Sequence, residues 1–116
     1  MILFNPVLRL HGVPQLANRV GGDDAMAKLI SPTLHVSKNT PPALILYGTA
    51  DQLLEQGKEF EGKSKEVGNR VELYTAEGVG HGFFNNPPWK QRTLYRADEF
   101  LGSLAYVAGK PTLEVP

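Results

Sequence analysis

The chain has 116 residues, and its 12 Lys and Arg balance 12 Asp and Glu, so the formal net charge is zero; nothing in this balance suggests a nucleic-acid or anionic-membrane binder. It has no cysteine, which excludes disulfides, thiolate metal sites and a cysteine nucleophile but leaves the compartment open. The length allows one domain with a modest core, no apolar run nears the ~20 residues of a membrane span, and Met1-Ile2-Leu3-Phe4 is too short, and lacks the basic flank, for a signal peptide.

Ile2 to Leu8 (ILFNPVL) is apolar rather than alternating, the pattern of a strand covered on both faces. Asn5-Pro6 breaks it, because proline has no N–H for a ladder, so the strand is predicted to end near Asn5. A chain that opens on such a strand has nothing before it to pair with. The exposed Ile2-Leu8 sheet edge is therefore expected to pair with another copy in a homo-oligomer. Residues 9–40 read as a mostly irregular, cap-like connection. Within it Asp23 or Asp24 caps a short helix through Ile30, with Ala25, Met26, Leu29 and Ile30 as its apolar face. Ser31-Pro32 stops that helix, and Thr40-Pro41-Pro42 leads stiffly onward.

Ala43 to Tyr47 (ALILY) is the strongest strand, and Gly48-Thr49-Ala50-Asp51 is its exit turn. Leu53 to Val67 is helical, with Leu53, Leu54, Phe60 and Val67 apolar among Glu and Lys; Gly57 and Gly62 weaken it by roughly 1 kcal/mol each relative to alanine. Gly68-Asn69 stops it, and Val71 to Tyr74 (VELY) follows as a strand. Strand, helix and strand with short connections predict two parallel strands and a right-handed crossover. Glu77 to Phe84 is a glycine-rich loop. Pro87-Pro88 introduces a last helix over Trp89 to Ala108, with Leu94, Ala97, Leu101, Leu104, Ala105 and Ala108 as its apolar stripe and Phe100 widening it. Gly109-Lys110-Pro111 ends it, leaving 109–116 as a tail.

Asp51 lies four residues beyond Tyr47 and His81 seven beyond Tyr74. In an open parallel sheet, reactive groups gather beyond the carboxyl ends of the strands, so both belong on one rim. An imidazole that moves a nucleophile's proton needs an acid to orient it and to stabilise its cation. Gly80 and Gly82 would let the backbone carry His81 through a tight loop. The same residues also have a plainer reading, with Asp51 as a helix cap and His81 as a solvated loop histidine.

The string PPALILYGTAD, a helix, and then VELYTAEGVGHGFF resembles the C-terminal third of an α/β-hydrolase. It is most similar to the esterase and lipase group related to hormone-sensitive lipase, and to dienelactone-hydrolase-like and prolyl-oligopeptidase-like enzymes. In that family an L-x-G-x-x-D segment supplies the triad acid, matched at Asp51, and G-H-G-F supplies the triad histidine, matched at His81. The resemblance implies an α/β fragment of the three-layer hydrolase type, with three parallel strands and flanking helices over 1–116. It also makes Ile2 to Leu8 similar to the strand after the nucleophile elbow. The implied function is carboxylic-ester hydrolysis of the Ser-His-Asp type on a small ester, with no cofactor. A prolyl-oligopeptidase-like serine peptidase is an alternative, although nothing in these residues reads a peptide.

The family's nucleophile sits in G-x-S-x-G. Here Ser31, Ser37, Ser64 and Ser103 all lie outside such a motif. The triad order then puts the serine before Met1, so the chain reads as a C-terminal piece of a hydrolase, expected to be inactive alone. The competing class is a truncated fragment that survives only as a self-associating module. Phe83 and Phe84, with Trp89, are candidate walls of a substrate pocket. Gly21-Gly22-Asp23-Asp24 reads as a helix cap rather than a metal site. His11 and His35 have no partner at metal-ligand spacing, so no metal is expected. Lys58, Lys63 and Lys65 among Glu55, Glu59, Glu61 and Glu66 read as a solvated face.

Overall fold

The computed structural model describes residues 1–116. Three strands, β1 (Ile2–Phe4), β2 (Ala43–Gly48) and β3 (Val71–Ala76), form one parallel sheet in the order β1-β2-β3. Helices α1 (Pro14–Ala17) and α2 (Asp24–Leu29) lie between β1 and β2. Helix α3 (Leu54–Glu66) joins β2 to β3, and α4 (Trp89–Ser103) follows β3. No helix is long and apolar enough to cross a membrane.

The side-chain alternation of β2 divides the core into two layers. Ala43, Ile45 and Tyr47 pack with Leu54 and Phe60 of α3 and with Leu8 and Val71. Leu44 and Leu46 point the other way, onto Ala97 and Phe100 of α4 and onto Ala76 and Phe83. Every residue of β2 is buried, as a strand with neighbours on both edges and helices on both faces requires. β1 was expected to be covered in the same way, but Ile2, Leu3 and Phe4 are only half-buried. Its inner edge pairs with Leu44, Ile45 and Leu46, and its outer edge has no partner in this chain.

The helices correct the sequence in instructive ways. The sheet-facing side of α3 buries Leu54, Gln56, Gly57, Phe60 and Ser64, while Val67 is exposed. That face includes small and polar residues because the Tyr47 ring lies against it: a Cβ on Gly57 would come within 2.3 Å of the ring. The Tyr47 hydroxyl donates to Pro6 O at 2.6 Å, and burial, helped by the nearby Asp51 charge, pushes its ionisation above the usual phenol range. Gln56 Oε1 accepts from Leu8 N and Arg9 N at 2.9 and 2.8 Å, which ties the 9–40 connection to α3.

Helix α2 does start at its expected cap, with Asp23 Oδ1 accepting from Ala25 N and Met26 N. Its expected apolar face is outside, however: Met26, Leu29 and Ile30 are exposed and only Ala27 is buried. The connection is held instead by buried Ser31 and Thr33, whose hydroxyls donate to Ala27 O and Leu8 O. Helix α4 ends at Ser103, not Ala108. Ala105 takes a left-handed conformation, with Ala105 N donating to Gly102 O and Tyr106 N to Leu101 O. This is a Schellman stop built on an alanine, a residue type that gives no stop signal. The buried face of α4 is Thr93, Ala97 and Phe100, and Leu94 is exposed. Residues 109–116 form no helix or strand; Pro116 O accepts from Arg92 Nε.

Two glycines of one helix are therefore expected to respond oppositely to alanine. Gly62→Ala meets nothing within 4 Å and should stabilise the chain by about 0.5–1 kcal/mol through helix propensity. Gly57→Ala should destabilise it by about 1–3 kcal/mol through overpacking against Tyr47. Urea unfolding of both variants checks this.

Candidate active site

The acid is placed by the exit of β2. Thr49 N donates to Ala76 O, Ala50 N to Val79 O, and Asp51 N back to Gly48 O. The turn is thus stitched both to itself and to the loop after β3. Thr49 Oγ1 adds a further tie by accepting from Gly78 N at 2.8 Å. This close approach requires Gly48: a Cβ there would sit 2.0 Å from Val79 O.

The histidine loop turns at two left-handed glycines, Gly78 and Gly82. The sequence pointed to Gly80 and Gly82; Gly80 keeps a φ open to any residue, and the bend falls two residues earlier, at Gly78. His81 Nδ1 lies 3.0 Å from Asp51 Oδ2. A carboxylate only accepts hydrogen bonds, so Nδ1 carries the proton and donates, and the neutral ring has its lone pair on Nε2. Nε2 makes no hydrogen bond within the chain. The Asp51 side chain is 2% exposed and that of His81 63% exposed, so a buried carboxyl backs a solvent-facing imidazole.

The Asp51 carboxylate has three donors. Oδ1 accepts from Leu53 N at 2.8 Å, at the start of α3. Oδ2 accepts from His81 Nδ1 and from Asn5 Nδ2. Asp51 does not cap α3, whose N-cap is Leu53 with no side-chain cap bond; its Oδ1 closes the turn just before the helix, and its Oδ2 meets His81. Asn5 was read only as part of a strand break. Its one local signal was its residue type, since asparagine tolerates the left-handed backbone found here, with φ at 45°.

An open cleft of about 400 Å³ is lined by Ala50, Asp51, Gln52, Leu53 and His81. A second, of about 440 Å³, is lined by His81, Phe83, Pro87, Pro88 and Trp89 among others. Phe83 is buried, and its ring meets Trp89 edge-on at 5.9 Å. Phe84 lies outside both clefts, its ring 4.9 Å from that of Phe4 and 5.6 Å, edge-on, from that of Phe83.

None of the four serines hydrogen-bonds to His81. Ser31 is buried in the connection and Ser64 is buried in α3. Ser103 bonds Phe100 O and receives from Arg70, and Ser37 takes part in a turn with Thr40. His11 contacts Ser31 and His35 contacts Leu29 O. Asp24 pairs with Lys28, whose ammonium holds that carboxyl below the usual carboxylate range. No three His, Asp or Glu side chains gather to hold a metal ion. Lys58, Lys63 and Lys65 pair with Glu55, Glu59 and Glu61 along the exposed side of α3.

Residues 6–85 match a family described as alpha/beta hydrolase fold. Among solved structures, Thermogutta terrifontis esterase 2 phosphoramylated by tabun is 41% identical, with a TM-score of 0.81 over 94% of this chain and 42% of that one. The propionate-bound form of the thermophilic esterase from this Planctomycetes species is 38% identical, with a TM-score of 0.79 over 95% of this chain and 44% of that one. The butyrate-bound form is likewise 38% identical, with a TM-score of 0.79 over 95% and 45%. The chain thus spans under half the length of these esterases. No curated protein matches it.

Gly48→Ala is expected to force the two loops apart and cost about 1–3 kcal/mol, since a backbone carbonyl cannot move aside as a side chain can. Urea unfolding, with the His81 ring resonances as a local probe, checks both effects.

Proposed function

This chain belongs to the α/β-hydrolase family, and on that premise we propose that it carries the acid and the base of a Ser-His-Asp carboxylic-ester hydrolase. One observation carries the reading: the His81 imidazole donates from Nδ1 to buried Asp51 while Nε2 stays unpartnered at the edge of two clefts. A free Nε2 lone pair is what a general base needs.

In this reading Nε2 takes the proton of a serine hydroxyl as its oxygen forms a bond to the ester carbonyl carbon. The resulting imidazolium is stabilised by Asp51. As the tetrahedral adduct collapses, the ester C–O bond breaks and the alcohol leaves with the proton from Nε2. Water then attacks the acyl group by the same route, giving the acid and the free serine. The serine and the oxyanion donors come from residues outside this chain. The esterase neighbours hold propionate and butyrate, so we assign short-chain acyl esters as the substrate class. Phe83, beside Trp89 on the His81 cleft, is assigned to the apolar part of the substrate, and Phe84 to its support.

The test replaces the matched part of Thermogutta terrifontis esterase 2 with this chain and follows hydrolysis of nitrophenyl butyrate. The chimera should be active. His81→Ala should lower kcat by roughly 10⁵- to 10⁶-fold and Asp51→Asn by roughly 10⁴-fold. The chain alone should hydrolyse the ester no faster than its His81→Ala variant. Labelling of a serine in the chain alone by a fluorophosphonate, or a chimera indifferent to His81, would overturn the assignment.

A second reading, a self-associating module without chemistry, is favoured by the unpaired outer edge of β1. Beside it lies an apolar cleft of about 370 Å³, whose lining includes Leu3, Pro6, Val7 and Leu8. It predicts a dimer joined through β1. Light scattering that shows a monomer at high concentration removes this reading.

A further inference from the structure

Asn5 sits where β1 ends, between the acid loop and the histidine loop. Its backbone N–H donates to Leu46 O and so continues the ladder to β2, a task any residue but proline performs. Its side chain does something more selective. Nδ2 donates to Asp51 Oδ2, the same oxygen that His81 Nδ1 approaches, and Oδ1 accepts from Gly82 N at 3.2 Å. The residue is 6% exposed. The amide can face only one way, because the carboxylate needs a donor and the Gly82 N–H needs an acceptor.

We propose that Asn5 is the positioning residue of the acid–base pair, fixing at once the Asp51 oxygen that receives the histidine and the backbone that carries the histidine. This rests on the reading of Asp51 and His81 as acid and base. Asn5 touches neither substrate nor reacting atoms; it acts through Asp51 and through Gly82.

The side-chain requirements disfavour the other small residues. Glycine would accept the left-handed backbone but make neither bond. Aspartate would also tolerate that backbone and would accept from Gly82 N, yet when ionised it has no donor and sets a second negative charge against Asp51. Serine is shorter than the reach to two loops requires. Asparagine combines the backbone conformation, one donor and one acceptor on a short side chain.

The experiment uses the chain itself and needs no turnover. A histidine N–H bonded to a buried carboxylate gives a far-downfield proton resonance, and ¹⁵N shifts report which ring nitrogen is protonated. Both are recorded near pH 8 for the chain and for Asn5→Gly, Asn5→Asp and Asp51→Asn. The unaltered chain should show the downfield resonance with the proton on Nδ1, and Asp51→Asn should abolish it.

Asn5→Gly and Asn5→Asp should both lose the signal while circular dichroism and Trp89 fluorescence stay native. Exchange of the Gly82 amide should accelerate by about tenfold or more in Asn5→Gly, where its acceptor is gone, and remain slow in Asn5→Asp, where it is kept. A merely structural role would move both variants together with the overall melting curve. Persistence of the downfield resonance in both Asn5 variants overturns the proposal and leaves the acid–base reading standing. Absence of the resonance from the unaltered chain overturns the pairing itself.

Discussion

The site depends on one buried carboxylate. Asp51 is removed from water, and an ionised group there is tolerated only if its oxygens are met by donors. Those donors come from three separated places: the turn after β1, the first residues before α3, and the loop after β3. Satisfying one anion therefore pulls the ends of all three strands together. Leaving a single donor or acceptor of such a group unmatched costs about 1–3 kcal/mol, more where charge is involved. The geometry of His81 is thus tied to the stability of the fold, and its ring takes a defined direction despite its exposure.

Two close approaches let the carboxylate sit there. Gly48 brings the acid turn against Val79 and Gly57 brings α3 against the Tyr47 ring. Both glycines look like weaknesses when propensity alone is considered, since each lowers the preference of its element. In the packed molecule each is a point where a methyl group would not fit. The Tyr47 hydroxyl, pinned to Pro6 O, joins these contacts to the turn that presents Asn5.

The sheet and the meeting of Asp51 with His81 were legible, the first from local signals and the second from strand-exit spacing together with the family resemblance. β2 is a solid apolar run, Gly48 to Asp51 is a strand exit, and the glycines around His81 announce a turn. The phase of the helices was less legible. Of the stripe read from α4, Ala97 and Phe100 are buried and Leu104 packs on the core, but Leu94 is exposed and the polar Thr93 is buried, because the face a helix buries is fixed by the surface it meets. The end of α4 was missed because its stop uses Ala105. Asn5 was invisible as a ligand because its partners lie 46 and 77 residues away, and an Asn-Pro pair read locally says only that a strand stops.

The rim also constrains how a nucleophile would meet His81. Asn5, Asp51 and His81 stand at or just beyond the carboxyl ends of β1, β2 and β3 in sheet order. Parallel pairing uses alternate residues of a strand, and Met1 O and Asn5 N both bond toward β2. The backbone groups of Ile2 and Phe4 therefore face the open side, in register for another strand. A fourth parallel strand on that edge would end beside Asn5, on the rim where Asp51 and His81 stand. It would also add cover to the half-buried side chains of β1.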